Sequence, residues 1–343
     1  MTVRVALNGF GRIGRSIFRV LYDREDVEVV AISDPANAEN LLYLLRYDSI
    51  SGTFKDPIGH VDGRLVAKGR LIPLLDGRAP GDVNWRDYDV DIVIEASGRY
   101  RSRAELQKHL DAGARRVVLT VPPEDEIDGI FVDGVNYDAI DSSKKIVSTG
   151  SGALNALAPV LKLLEENFGI SEAFYSIVHA YTNDLRLADV PNDDFRRSRS
   201  AAENILPAST KSPVRLDLLM PNLASRVDGI AISVPVPDGS VVDLVTYHDK
   251  PVSKEDVNAV MWSASETTFA RTLEYCKAPI VSTDVTGNPH SAIFDSLMTT
   301  TLNERDPDQK ERRGMVKSLT WYDNGWSYSN RVVDLALKLA ETF

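Results

Sequence analysis

A single cysteine, Cys276, stands in 343 residues, so no intrachain disulfide can form. A reducing, cytoplasmic setting is therefore expected. No apolar run reaches the roughly 20 residues of a bilayer-crossing helix, and no membrane partner is expected. Basic residues are outnumbered by acidic ones, 39 to 50, and the formal charge is −11. Without a cationic excess to neutralise phosphates, nucleic acid is not an expected partner. The five histidines are scattered, none at a ligand spacing such as H-x-x-x-H, so no metal site is expected. The β-branched run that opens at Val3 leaves no space for a cleavable signal, and none is expected. Internal repeats and low-complexity tracts are absent too. The length suggests two domains or one large one, and apolar residues make up 43% of the chain, enough for a full core.

The most informative stretch comes first. Val3–Asn8 is followed at once by Gly9-Phe10-Gly11-Arg12-Ile13-Gly14, then by a helical pattern over residues 15–22. A second apolar run, residues 27–32, leads to Asp34, twenty positions after Gly14. Strand, G-x-G-x-x-G turn, helix, strand and acid form the dinucleotide-binding fingerprint in its required context. Gly9 permits the tight turn, Gly11 lets the backbone approach a pyrophosphate, and Gly14 lets helix and strand pack closely. The helix N-terminus supplies free N–H groups for the phosphates. Asp34 can accept hydrogen bonds from a ribose diol and would repel a 2′-phosphate, so NAD is the expected cofactor.

The first 150 residues read as alternating strands and helices of a doubly wound sheet. Strands are expected at residues 91–95, 116–120 and 145–147, with a helix over 103–112. Ligands of such sheets sit at strand carboxyl ends. That places Ser97, Gly98, Thr120 and the turn 148–152 near the cofactor. A long amphipathic helix is expected over 153–168, ended by Gly169. Longer strands follow at 172–180, 229–236, 241–247 and 318–322. The fold class is thus α/β, a Rossmann-type domain over 1–150 joined to an α+β catalytic and oligomerisation domain over 151–329 with a mixed or antiparallel sheet. A last helix, 330–343, is expected to pack back on the first domain.

Several motifs together resemble the phosphorylating glyceraldehyde-3-phosphate dehydrogenases. They are NGFGRIGR at 8–15, RYDS at 46–49, HAYT at 179–182, SVVDL at 240–244 and WYDNGWSYSNRVVDL at 321–335, with 148–159 and 199–207 in outline. The resemblance implies an NAD-binding domain, a catalytic domain, a small polar substrate and a homotetramer. It implies that Arg12 and Ile13 meet the pyrophosphate through backbone groups, that Asp34 holds the adenosine ribose, and that Ser97 and Thr120 lie along the cofactor. Asn324 would bind the nicotinamide carboxamide, and His179 would be the catalytic base. The polar stretch after Thr182 would cross to a neighbouring subunit.

The chain departs from that family where the chemistry is done. The family's nucleophilic cysteine falls at Gly152, and Ala153, Leu154 and Ala156 depart beside it, although Asn155 and Pro159 persist. A thiolate would form the thiohemiacetal that leads to an acyl phosphate, and glycine offers nothing in its place. Ser151 is adjacent, but an alkoxide is far harder to generate. Cys276 falls at a family position without a catalytic role. The family's phosphate-gripping arginine falls at Ser233, and a family glycine falls at Lys211, while Thr182, Asp184, Arg199 and Thr210 remain as candidates for substrate or anion contact. Two readings stay open. One is an NAD-dependent oxidoreductase with an altered substrate, no acyl-thioester step and His179 as general acid/base. The other is a non-catalytic NAD-binding member with a regulatory or assembly role.

Overall fold

The computed structural model describes residues 2–208, 216–303 and 313–343. The backbone divides into two compact units, Met1–Val132 with Asn136–Ser151 and Ser329–Phe343, and Asp133–Val135 with Gly152–Tyr328. Residues 133–135 go with the second unit because of their bonds. Arg271 pairs with Asp133 at 2.6 Å, and Lys162 Nζ donates to the carbonyls of Gly134 and Val135.

In chain order the first unit holds β1 (Val3–Asn8), α1 (Arg12–Tyr22), β2 (Val27–Ser33), α2 (Ala38–Arg46), β3 (Tyr47–Asp48), β4 (Gly52–Thr53), β5 (Ile58–Val61), β6 (Arg64–Ala67) and β7 (Arg70–Leu75). There follow β8 (Ile92–Glu95), α3 (Arg103–Asp111), β9 (Arg116–Leu119), β10 (Gly129–Ile130) and β11 (Ile146–Ser148). One sheet runs β10-β11-β9-β8-β1-β2-β7-β6-β5. It is parallel from β10 to β7 and antiparallel across β7-β6-β5. Val5, Leu7, Ile92, Val93, Ile94, Val117 and Val118 are wholly buried. Such unbroken apolar runs belong to parallel strands covered on both faces. The chain leaves β1 for β2 on one side and later returns to β8 on the other. This is a topological switch point, where ligands of open α/β sheets bind.

Strict alternation of strand and helix fails between residues 47 and 75, where the chain makes hairpins. The signals were local: Asp62-Gly63 and Lys68-Gly69 take positive φ at both positions, 47° and 72° in each pair. That is the type I′ geometry whose twist suits a two-residue hairpin. Helix α1 starts at Arg12, earlier than the pattern suggested, because extended Gly11 serves as its N-cap. Helix α3 is fixed by a capping box. Ser102 Oγ accepts from Glu105 N–H, and the Glu105 carboxylate accepts from Ser102 N–H at 3.1 Å.

The second unit holds α4 (Gly152–Phe168), β12 (Glu172–Ala180), β13 (Leu206–Pro207), α5 (Leu216–Leu219), β14 (Val227–Val234), β15 (Ser240–His248) and α6 (Lys254–Ser265). It continues with β16 (Leu273–Cys276), β17 (Ala292–Asp295), β18 (Thr300–Asn303) and β19 (Gly314–Tyr322), and opens α7 (Trp326–Ala340), whose residues from Ser329 onward belong to the first unit. The sheet order is β13-β14-β12-β15-β19-β17-β16, with β18 also on β19. Strand β12 pairs parallel with β14 and antiparallel with β15, so the sheet is mixed. The α/β nucleotide-binding class joined to a mixed-sheet α+β unit is the one expected from the sequence.

Helix α4 shows the polar side of its amphipathic pattern only in its second half, where Glu166 and Asn167 are exposed. Every residue from Ala153 to Leu161 is buried, as befits a segment that is apolar around its circumference but for Asn155. It packs on β15, β17, β19 and α6. On β12, Tyr175 and Ile177 are buried and share a face with His179, while Phe174 is exposed on the other face.

Removing the α3 cap gives a direct test of this local reading. Ser102→Ala should lower the unfolding free energy by about 1 kcal/mol in a urea titration, and Ser102→Asp should recover most of that loss.

Candidate functional site

In the first unit the fingerprint residues form one compact turn. Gly9 has φ +96°, and a Cβ there would lie 2.5 Å from the Ser97 backbone nitrogen. A Cβ on Gly14 would lie 2.2 Å from the Gly9 carbonyl oxygen, whereas nothing stands within 4 Å of one on Gly11. Gly9 and Gly14 are thus consumed by close packing, and Gly11 faces open space. Helix α1 has no side-chain cap and no acid in its first turn. The N–H groups of Arg12, Ile13 and Gly14 therefore suit an anion, as a pyrophosphate requires.

Asp34 is tied to the same turn. Its Oδ2 accepts from Phe10 N–H at 2.7 Å and its Oδ1 from Ala36 N–H at 2.9 Å. Each carboxylate oxygen keeps a further lone pair, so a ribose diol can still donate to it. Ser97 donates its hydroxyl to Glu95, and Thr120 Oγ1 donates to the Glu95 carbonyl at 3.0 Å. Gly98 is exposed beside Ser97. The residues present fit a dinucleotide.

In the second unit His179 is the next-to-last residue of β12. Its Nδ1 lies 2.6 Å from the Ala180 carbonyl oxygen. A carbonyl only accepts, so Nδ1 carries the proton and Nε2 is the accepting nitrogen. Asn324 Nδ2 stands 3.3 Å from the same Nδ1, a close approach that is not a hydrogen bond, because a protonated Nδ1 cannot accept. The amide is oriented by its other end, because Ser240 Oγ donates to Asn324 Oδ1 at 2.7 Å and itself accepts from Ala180 N–H at 2.9 Å. His179 and Asn324, 145 positions apart in sequence, are thereby held as neighbours. Ser233 is the register partner of His179 on β14, so the two side chains share a face.

Gly152 opens α4. A Cβ at this position would meet two Tyr322 ring carbons at 3.3 and 3.5 Å and the Asn324 carbonyl oxygen at 3.9 Å. The Tyr322 ring also stands edge-on to His179, with centroids 6.2 Å apart. Burial pushes the Tyr322 phenol well above its ordinary range. Cys276 lies in the core on β16, against Val285, Ile293, Ile280 and Trp321. Ser151 is half-buried just before α4.

The other anion candidates are engaged within the loop after Thr182. Thr182 donates to Asp184, which also pairs with Arg197. Arg199 pairs with Asp189 at 2.9 Å. Thr210 and Lys211 lie outside the described residues.

Sequence reasoning missed Ser240, Tyr322 and two buried acids. Asp238 Oδ1 accepts from Asn324 N–H at 3.1 Å. Asp323 accepts from Gly287, Gly325 and Trp326 N–H and so caps α7. The D-N sequence at 323–324 was a possible cap signal; nothing local marked Asp238.

Burial and the nearby charge of Asp238 push the Asp323 carboxyl up to about 6, against the opposing pull of its N–H donors. The folded state therefore holds this proton more tightly than the unfolded chain does. The carboxylate destabilises the fold above pH 6, and that penalty fades as pH falls from about 6 towards 4. Asp238→Asn keeps an acceptor for Asn324 and removes the repulsion. Its Tm should exceed that of the wild type at pH 8, and the gap should close by pH 4 to 5. An equal gap at both ends would contradict this electrostatic origin.

Comparison with known proteins bears on both units. A family model described as "Glyceraldehyde 3-phosphate dehydrogenase, NAD binding domain" matches residues 3–103, and one described as "Glyceraldehyde 3-phosphate dehydrogenase, C-terminal domain" matches residues 151–324. Glyceraldehyde-3-phosphate dehydrogenase 2 of Streptomyces avermitilis is 42% identical over 339 residues, 98% of each chain. Glyceraldehyde-3-phosphate dehydrogenase 2 of Bacillus subtilis is 42% identical over 341 residues, 99% of this chain and 97% of the relative. The enzyme of Borreliella burgdorferi is 42% identical over 346 residues, 99% of this chain and all of the relative. With both domain models matched in order and full-length relatives at this identity, the chain belongs to the glyceraldehyde 3-phosphate dehydrogenase family, as an oxidoreductase with NAD as its cofactor.

Proposed function

We propose that this protein is an NAD-dependent oxidoreductase that works without an acyl-thioester, with His179 as its general acid/base and a small polar alcohol or carbonyl compound as substrate. The observation that carries this reading is the imidazole itself. Its Nδ1 is bonded to the Ala180 carbonyl, and Asn324 is fixed beside it. Nε2 is then the nitrogen that takes a proton from a substrate hydroxyl, and the Ala180 carbonyl stabilises the resulting imidazolium. NAD, when bound, supplies the acceptor for the hydride that leaves the same carbon. Asn324, its amide oriented by Ser240, would present an N–H to the nicotinamide carboxamide.

Gly152 supports the absence of a covalent intermediate, since the residue that opens α4 has no side chain. Ser233 beside His179 favours a neutral hydrogen-bonding substrate over a phosphate gripped by a cation. Within the same proposal the protein is a cytoplasmic homotetramer. Leu187, Phe195 and Ile205 on the loop after Thr182 are 68%, 87% and 67% exposed, and a neighbouring subunit would cover them.

The second reading is a non-catalytic NAD-binding member. It is favoured by the engagement of Arg197 and Arg199 with Asp184 and Asp189, which leaves the loop's charges balanced internally. One set of measurements separates the two. The enzyme reading expects turnover of NAD or NADH with some member of a panel of small hydroxy and carbonyl compounds, and a loss of kcat of at least 100-fold in His179→Ala with NAD affinity kept. Tight NAD binding without turnover above buffer would select the second reading.

Gly152→Cys tests the missing nucleophile. The Tyr322 ring needs to move only a few tenths of an ångström to admit the new Cβ. The variant should fold and gain an alkylatable thiol at residue 152. Acyl phosphate formation from a triose phosphate by the unmodified protein at ordinary rates would overturn the proposal.

A further inference from the structure

Glu95 is wholly buried, as is His109, and Trp85 is nearly so. An ionised carboxylate in such a place costs several kcal/mol unless donors surround it. Four do. Asn8 Nδ2 donates to Oε2 at 2.6 Å, and His109 Nε2 lies 3.0 Å from the same oxygen. Ser97 donates both its N–H, at 2.9 Å, and its hydroxyl to Oε1. Trp85 settles the histidine tautomer. Its indole N–H can only donate, and it points at His109 Nδ1 at 3.1 Å. The imidazole proton therefore sits on Nε2 and is aimed at Glu95. The main chain of Glu95 serves a third element, since its carbonyl accepts both the N–H and the hydroxyl of Thr120.

These donors lie under the phosphate turn. Asn8 immediately precedes Gly9, and Gly9 packs on the Ser97 nitrogen so tightly that a Cβ would stand 2.5 Å from it. The Gly9 carbonyl in turn lies against Gly14 at the head of α1. We propose that Glu95 is a positioning residue for the cofactor: its carboxylate clamps Asn8 and Ser97 at one spacing, and that spacing sets where the Gly9–Gly14 turn holds the N-terminus of α1, whose N–H groups face the pyrophosphate. His109 completes the clamp from α3. Only an acceptor on both oxygens can do this. A glutamine would turn an NH₂ towards either Asn8 and His109 or Ser97, donor against donor.

The inference rests on the pyrophosphate binding at the Gly9–Gly14 turn, and the experiment separates the two ideas. NAD affinity is measured by calorimetry and adenosine affinity by NMR titration, for wild type, Glu95→Gln, His109→Leu and His109→Gln, with Tm for each. Adenosine lacks the phosphates and relies on Asp34. Glu95→Gln and His109→Leu should each weaken NAD at least tenfold and leave adenosine within twofold. His109→Gln, which restores an N–H near the Nε2 position, should bind NAD within threefold of wild type. Should Glu95→Gln fail to fold, the two His109 variants carry the test alone. NAD affinity unchanged in Glu95→Gln or His109→Leu overturns the proposal. So does an equal loss of NAD and adenosine, which marks a merely structural role. Failure of the wild type to bind NAD overturns the placement of the pyrophosphate as well.

Discussion

Where β1 ends, backbone meets backbone without a side chain between. The Gly9 carbonyl, Gly14 and the Ser97 nitrogen lie so close that a single methyl group at Gly9 or Gly14 would overlap main-chain atoms. That proximity brings the ends of β1 and β8 and the start of α1 together at the switch point of the sheet. The remaining features of the first unit serve it. Asp34 bonds to Phe10 within the turn, Glu95 ties Asn8 to Ser97, and the uncapped α1 leaves its first N–H groups for an anion. An anion site made of backbone requires the backbone to be placed accurately, because no flexible side chain can compensate for an error.

The second unit uses side chains for the same purpose. At one end of the mixed sheet His179 bonds to the Ala180 carbonyl, Ala180 N–H to Ser240 and Ser240 to Asn324, a circuit of neighbours that brings the amide nitrogen back to 3.3 Å from the imidazole. The circuit fixes both the imidazole tautomer and the orientation of the amide. None of its hydrogen bonds is made by residue 152, beside which stand the ring of Tyr322 and the Asn324 carbonyl. The proposed acid/base role of His179 therefore calls for no side chain at the start of α4. The only thiol is a core residue on β16, packed among aliphatic side chains and Trp321.

Much of this was legible locally. The glycine turn, Asp34 and the strands around them follow from spacing and turn chemistry, which act over a few residues. HAYT and the D-N pair at 323–324 marked His179 and Asn324 through family resemblance, not through any local physical rule. The hairpins between 47 and 75 were legible in principle, since Asp62-Gly63 is a type I′ signal, but the expectation of strict alternation overrode it. The burial of the first half of α4 on all sides was not legible, because a helical pattern gives the period and not the number of neighbours.

Composition and the first 34 residues by themselves determined a nucleotide-binding α/β unit with an acid suited to a ribose, because that motif is built from consecutive backbone and one short loop. The sequence also determined that no second thiol could serve. Only the tertiary structure decided that Asn324 stands beside His179, that Ser233 shares its face of the sheet, and that Asn8 and His109 both meet the Glu95 carboxyl. Each of those facts depends on groups between 14 and 145 positions apart, or on neighbouring strands, meeting at hydrogen-bonding distance. A hydrogen bond has a direction and a range of about 3 Å, and one-dimensional spacing carries neither.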